Sequence, residues 1–383
     1  MTDQAVRDLE ALALDRVNRL GAGGKDLLVR VSTEVKSRLQ SGSVDSAEYV
    51  RQVVNALKHI SGTQFAEIRI ECLLDAAHFF YVTGQGICAV DPANDADKLA
   101  EQAGLTAFQR KALTLLGIAQ ADTGNISSAV ESYAKALDLS RQLKDRVAEG
   151  IVWINLGAAL LYAAQYRDAI ACFEHVIEMS THDPALVAFR PNAYSNIALC
   201  ALHLEDFGRG LKAAEISVRE SAPPVTAADK LSRVLRENYY TRLLLEVNSL
   251  EKARERSEIA RVLARESHSP RAEIAAAIAE GLYEVHAGKV DVGISRLMST
   301  LERARLVRSM LRDTLGALVK AFEIIGQPER ALIYLREMME ANRQVQQENA
   351  LQHLKRHLES LGQVSEGRGA DETRLARQEA ALR

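Results

Sequence analysis

At 383 residues the chain is long enough to bury a large core, either as one extended array or as two domains. Its formal charge of −3 argues against a general nucleic-acid binder, which carries a basic stripe. No apolar run approaches the roughly twenty residues that span a bilayer, and Met1-Thr2-Asp3-Gln4 lacks the basic and apolar segments of a signal peptide, so a cytoplasmic location is expected.

Seven prolines and 5% aromatic residues, in a chain rich in Ala, Leu, Glu and Arg, favour an all-α fold. Residues 4–20 carry Val6, Leu9, Leu12, Leu14, Val17 and Leu20 in a helical rhythm, which Gly21-Ala22-Gly23-Gly24 is expected to break. Gly24-Lys25 does not complete a phosphate loop. Arg19 stands where its first Gly belongs, Asp26 stands where Ser or Thr belongs, and no strand precedes. Residues 26–40 and 46–60 read as two further helices, either a degenerate first repeat or a cap over the open end of an array.

From about Glu67 the helices come in pairs. Gly84-Gln85-Gly86 turns the first pair, and Asp91-Pro92-Ala93-Asn94-Asp95 is expected to interrupt its second helix. Residues 110–190 are the most regular. Thr181-His182-Asp183-Pro184 and Arg190-Pro191 punctuate the next junction. The His-Asp pair there lacks further metal ligands and reads as a loop or helix cap. Ser221-Ala222-Pro223-Pro224-Val225-Thr226 is the clearest internal linker. Pairs then follow at Leu231–Val247 with Leu250–Ala264, at 271–287 with 290–307, and at 310–325 with 328 onward.

The last helix is predicted to continue from Glu329 to Leu361, where Leu351, Leu354, Leu358 and Leu361 form a two-heptad seam. A capping helix folded on the last pair and a short homodimeric coiled coil both fit that seam. His353 and His357 lie four apart without a third ligand. Gly362 to Asp371 reads as a break, and Glu372 to Arg383 as the start of another charged helix. The predicted domains are an N-terminal cap or degenerate repeat at 1–62, the array at 63–345, and the C-terminal helix and linker at 346–383.

The pairs repeat. Steps of about forty residues from Ala169 fall on Ala89, Ala129, Gly210, Ala253, Gly293 and Ala331, all small residues where one helix can press closely on its partner. Five residues before each stand Gly84, Gly124, Ala164, Glu205, Asn248, Gly288 and Gly326. Four of the seven are Gly and one is Asn, the types that accept a left-handed helix end. Within one unit, Trp153-Ile154-Asn155-Leu156-Gly157 is followed by Ala169 and Phe173; Gly117, Tyr133 and Ala136 match in the unit before.

On these residues the chain resembles the tetratricopeptide repeat family, in its long-helix form as found in bacterial regulators and kinesin-light-chain-like repeats, over about 63–345. The resemblance implies a right-handed α-solenoid of about seven hairpins, with N-terminal capping helices and a long C-terminal helix. It fixes the fold more closely than the function, because repeat scaffolds carry many partners.

Cys72, Cys88, Cys172 and Cys200 are far apart and sit among apolar residues, so buried free thiols are expected. No metal-protease, nucleophile-elbow or complete phosphate-loop motif is present, so neither enzyme activity nor a cofactor is expected.

The polar residues of interest fall on the first helix of each pair, which lines the concave face in this family. Asn155, Asn196 and Asn238 lie forty-one and forty-two residues apart. Asn is a poor helix-interior residue. Its amide offers a donor and an acceptor, matching one peptide unit. Peptide-binding members of the family use Asn at this place, and the resemblance implies that role here. The other reading is a local bond to a neighbouring helix or to a carbonyl one turn away. Asn192, Ser195, Tyr162, His203 and Tyr239 could share the groove. Arg190 and Arg236 are candidates for a carboxylate, with Lys111 one repeat earlier. The two-lysine clamp of chaperone cofactors is absent, since Ile151 and Ile154 occupy comparable places. Ile154, Leu161, Leu199 and Leu202 would add apolar contact.

The expected function is a cytosolic scaffold that grips an extended peptide or protein segment and acts as a regulatory or adaptor module. The alternative is the sensory part of a larger bacterial signalling enzyme, a diguanylate cyclase or cyclic-di-GMP phosphodiesterase, relayed through the C-terminal helix. Partners are a protein or peptide, without direct nucleic-acid or membrane binding.

Overall fold

The computed structural model describes residues 3–13, 22–41, 46–60, 62–83 and 85–340. Among them there is no strand. Three helices come first, α1 (Asp3–Ala13), α2 (Ala22–Ser41) and α3 (Ala47–Lys58). Seven hairpins follow: α4 (Ala66–Val82) with α5 (Gly86–Gln102), α6 (Thr106–Asp122) with α7 (Ile126–Gln142), α8 (Arg146–Tyr162) with α9 (Tyr166–His182), α10 (Arg190–His203) with α11 (Phe207–Glu220), α12 (Ala227–Glu246) with α13 (Leu250–Ser267), α14 (Pro270–His286) with α15 (Val290–Ala304), and α16 (Arg308–Ile324) with α17, described over 328–340. Met1–Arg336 is one compact unit, and the described part of the second, Glu337–Arg383, is 337–340. The leucine seam at Leu351–Leu361, His353, His357 and the segment 346–383 lie outside the described residues.

The small anchors sit where helices touch. Ala89, Ala129, Ala169, Ala253 and Ala331 are buried, as are Gly210 and Gly293. Each lies near the start of the second helix of its hairpin. Opposite them α6, α8 and α14 also narrow to glycine, at Gly117, Gly157 and Gly281. A methyl on Gly157 would stand 2.7 Å from Cε1 of Phe173. Phe173 is itself fully buried, and sealing such a ring stabilises the fold by about 1.5–3 kcal/mol.

Six hairpin turns share one geometry. Gly124, Ala164, Glu205, Asn248, Gly288 and Gly326 have φ between 55° and 79°. After each, the next amide reaches back five residues: Asn125 to Gln120, Gln165 to Leu160, Asp206 to Ala201, Ser249 to Leu244, Lys289 to Glu284 and Gln327 to Phe322, at 2.8–3.0 Å. These Schellman closures satisfy carbonyls that the helix end leaves free. Ala164 and Glu205 adopt the left-handed state without being glycine, so position in the repeat outweighs residue type there.

The first helices stack on one another, α4 on α6, α6 on α8, and so on to α16, whereas the second helices pack mainly on their sequence neighbours. The first helices are thus the tight inner layer. At the N-terminus, α2 and α3 pack on α4, and one apolar cluster runs from Ala5 through Val53 and Phe79 to Ala119. Arg69 of α4 fastens that join. Its guanidinium donates to the carbonyls of Ile60 (2.7 Å) and Gly62 (2.8 Å).

Two local expectations fail. Gly23 and Gly24 lie inside the first turn of α2 rather than breaking the chain before it. Residues 91–95 do not interrupt α5, which runs through Pro92. The ring removes only the bond to the Cys88 carbonyl, while Ala89, Pro92, Ala93, Ala96 and Leu99 form one buried face that keeps the helix whole. The junction at Asp183 is a cap, as expected. Its Oδ1 accepts from the amide of Ala185 (3.0 Å) at the head of a short 3-10 helix, Pro184–Phe189.

Candidate functional site

Because each inner helix ends in the same turn, register can be counted back from the left-handed residue. Nine residues before Ala164 and Glu205 stand Asn155 and Asn196. Nine before Asn248 stands Tyr239, not Asn238. The forty-two-residue step has slipped the third Asn by one position, which rotates it about 100° around the helix. The burial follows. Asn155 and Asn196 are half-buried, whereas Asn238 is fully buried. Asn155 donates to the Ile151 carbonyl (3.0 Å), which leaves its amide oxygen as an acceptor. No hydrogen bond of the Asn196 amide occurs among the described residues.

Two residues before the same turns stand Asp122, Tyr162, His203, Glu246 and His286, at the C-terminal ends of successive inner helices. They form one rim of the groove, and no named motif in the sequence marks them. Tyr162 is 63% exposed. His203 is also open to solvent, and its ring stacks on Tyr166 with centroids 4.7 Å apart. One face of that ring is covered by Tyr166. Desolvation, aided by the charges of Arg242 and Arg312, pushes its pKa from the ordinary 6.5 to about 4. Burial also raises the pKa of Tyr239, with Asp313 and Tyr162 adding to it and Arg242 and Arg271 opposing. The hydroxyl of Tyr162 is pushed up by desolvation first, then by Tyr81.

These groups come from opposite sides of the groove. Arg312, on the second turn of α16, donates to the Tyr162 carbonyl (3.2 Å) and reaches the Tyr166 hydroxyl (3.4 Å). That carbonyl is among those exposed at the end of α8, where a cation is favoured. Lys320 of α16 likewise meets Glu246 of α12 at 2.8 Å. The inner layer therefore bends far enough for α16 to touch the α8–α9 turn. The result is a channel bordered by tyrosines and arginines.

The remaining sequence candidates distribute unevenly. Asn192 is exposed and accepts from Arg236 (3.0 Å), and Arg190 pairs with Glu220 (3.0 Å), so both are engaged near the start of α10. Ser195 is buried. Lys111 lies over the Phe108 ring. Leu161 and Leu199 are buried in the core shared by α8 to α12 rather than in the groove. Tyr166, Arg242, Arg271 and Arg312 border the channel without having been singled out from the sequence. The four cysteines are free thiols, with Cys72, Cys172 and Cys200 buried. Among the described residues no three of His, Cys, Asp or Glu gather as a metal site, and no helix is long and apolar enough to cross a membrane.

This geometry is that of an all-helical solenoid of tetratricopeptide-like hairpins. Residues 109–182, hairpins α6–α7 and α8–α9, match the tetratricopeptide repeat family. Three solved structures share the architecture over most of both chains. The apo form of the quorum sensor NprR from B. thuringiensis is 12% identical, with 88% of this chain and 97% of that one covered and a TM-score of 0.60. A Rap protein complexed with competence and sporulation factor is 14% identical (91% and 99% covered, TM-score 0.60). The Rap conjugation gene regulator of plasmid pLS20, in complex with the Phr* peptide, is 14% identical (90% and 95%, TM-score 0.61). At such identities the likeness is one of fold. No curated protein sequence matches the chain.

Proposed function

We propose that this chain is a regulatory scaffold that binds a short extended peptide in the channel of its inner layer. The observation that carries the reading is the shared register of Asn155 and Asn196, one turn-defined place on successive inner helices, two helical turns before Tyr162 and His203. Each amide can offer a donor and an acceptor to a peptide backbone and asks nothing of its side chains. The aromatic rings supply contact area at low entropic cost. The Rap structures with competence and sporulation factor or the Phr* peptide support the reading by their fold. Tyr239 takes the third rung in place of an Asn, and Asn238 sits beneath the surface. Regulation is the consequence proposed for binding: a peptide that touches α8, α10 and α12 together fixes the pitch of the array, and a partner protein reads that pitch.

The test is affinity selection of a linear hexapeptide library on the immobilised chain, compared with the double substitution Asn155→Ala, Asn196→Ala. Retention of a peptide set by the parent and its loss from the variant, at equal helicity by circular dichroism, supports the groove. Equal retention by both removes the Asn register from the site. The alternative sensory role rests on the C-terminal helix beyond residue 340, outside the described residues.

A further inference from the structure

Tyr166, the first residue of α9, lies flat against the His203 ring of α10, with centroids 4.7 Å apart and planes 8° from parallel. The stack is fixed at one edge. Nη2 of Arg312 reaches the Tyr166 hydroxyl (3.4 Å) while Nη1 donates to the Tyr162 carbonyl (3.2 Å). Tyr166 covers one face of the imidazole, and His203 is nevertheless open to solvent, so its exposure lies on the other face and the edge. The other close ring pairs offer no such surface. Phe79 and Phe80 are sealed in the core, Phe322 beneath Tyr334 is fully buried, and Trp153 meets His175 edge-on.

The free face is suited to a third ring. Desolvation keeps the imidazole neutral at pH 7, so no charge has to lose its water when a ring closes over it. The two stacked rings are already ordered, which lowers the cost of binding on them. Parallel, offset stacking is a favoured arrangement for aromatic pairs. The platform also stands at a fixed height above the two amides. Asn155 precedes Tyr162, and Asn196 precedes His203, by seven residues, about 10 Å along the helix axis. A backbone held at the amides therefore reaches the rim only through a long side chain. The flat ones are Trp, Tyr and Phe. A long cationic side chain meets the charges of Arg242 and Arg312, which already act on the imidazole.

Resting on the peptide-binding reading above, we propose that the free face of His203, backed by Tyr166, is a stacking subsite for an aromatic side chain of the bound peptide. The amides hold the backbone without regard to sequence, and the platform selects which peptides stay. Arg312 is a positioning residue there, because it acts on the ligand only through Tyr166.

The test uses two pools of acetylated hexapeptide amides on the full chain. One carries a single Trp, Tyr or Phe at a varied position, and the other carries Leu at the same positions. The aromatic pool should be retained about tenfold better, the factor for one stacked pair with its buried area. His203→Ala should erase that preference and His203→Phe should keep it. In the parent, the ring protons of His203 should move upfield by NMR when the aromatic pool binds and stay in place with the Leu pool. Should His203→Ala lose helicity, this ring shift decides. Equal retention of both pools, lost with Asn155→Ala and Asn196→Ala, would leave the groove standing and overturn the subsite. An aromatic preference that survives in a folded His203→Ala would overturn it too, by placing the ring elsewhere. If neither pool is retained, the peptide-binding reading falls and this one with it.

Discussion

Replacing Ala164 and Glu205 by glycine tests whether the turn, rather than the residue, is what the repeat enforces. Both residues sit at φ of 60° and 57°, a region that costs an ordinary L-residue about 1–2 kcal/mol. Both are exposed, and no side-chain hydrogen bond of Glu205 occurs among the described residues, so truncation removes no described contact. Glycine relieves the strain but enlarges the freedom of the unfolded chain, at a cost of about 0.4–1 kcal/mol. The net expectation is a gain of about 0.5–1 kcal/mol at each turn. A repeat array need not unfold in one step, so local opening is the right readout. Amide exchange at the ends of α8 and α10 should slow by roughly two- to fivefold, the factor equivalent to that free energy. Ala164→Val, which puts a β-branched side chain at positive φ, should speed exchange at the same amides. Faster exchange in either glycine variant would refute the argument that these positions are strained.

Gly293→Ala should destabilise the sixth hairpin by about 1–3 kcal/mol, because the new methyl would stand 2.6 Å from the Gly281 carbonyl oxygen and 2.9 Å from the Val285 nitrogen, both backbone atoms that cannot swing aside. Urea unfolding followed by circular dichroism checks it. Phe173→Ala empties a fully buried site and should cost about 3–5 kcal/mol by the same assay. His203 should titrate near pH 4 by NMR rather than near 6.5. Its unfolded form binds the proton more tightly, so stability falls as pH drops from about 6.5 toward 4, and His203→Gln should flatten that slope. A titration midpoint at 6.5 would place the ring outside the crowded channel.

The hairpins were legible because their signal is local. Ala129, Ala169 and Gly293 sit in the same contact in every repeat, and Gly124, Gly288 and Gly326 announce the turn that closes it. The site was legible only in part. Asn155 and Asn196 hold one register, but an extra residue between Asn238 and its turn put that side chain into the interior, a slip visible only once Asn248 is known to be the left-handed residue. Pro92 was read as a break because its missing donor is a local fact, whereas the buried alanine face that overrides it is a tertiary one. Tyr166, Arg242 and Arg312 were missed for a different reason. Arg312 meets Tyr162 across 150 residues, and that approach depends on the sum of small rotations between repeats, which no spacing in the sequence records.

The connectors between hairpins are not all alike. Gly104, Lys144 and His268 close theirs in the left-handed state, but the hairpin α10–α11 is entered through the 3-10 helix at Pro184–Phe189 and left through extended residues after Ser221. The fourth hairpin is therefore joined on both sides by connectors without the left-handed closure, and Arg312 ties α16 to the turn at Tyr162, so any bending of the array between its third and seventh hairpins would have to stretch that tie.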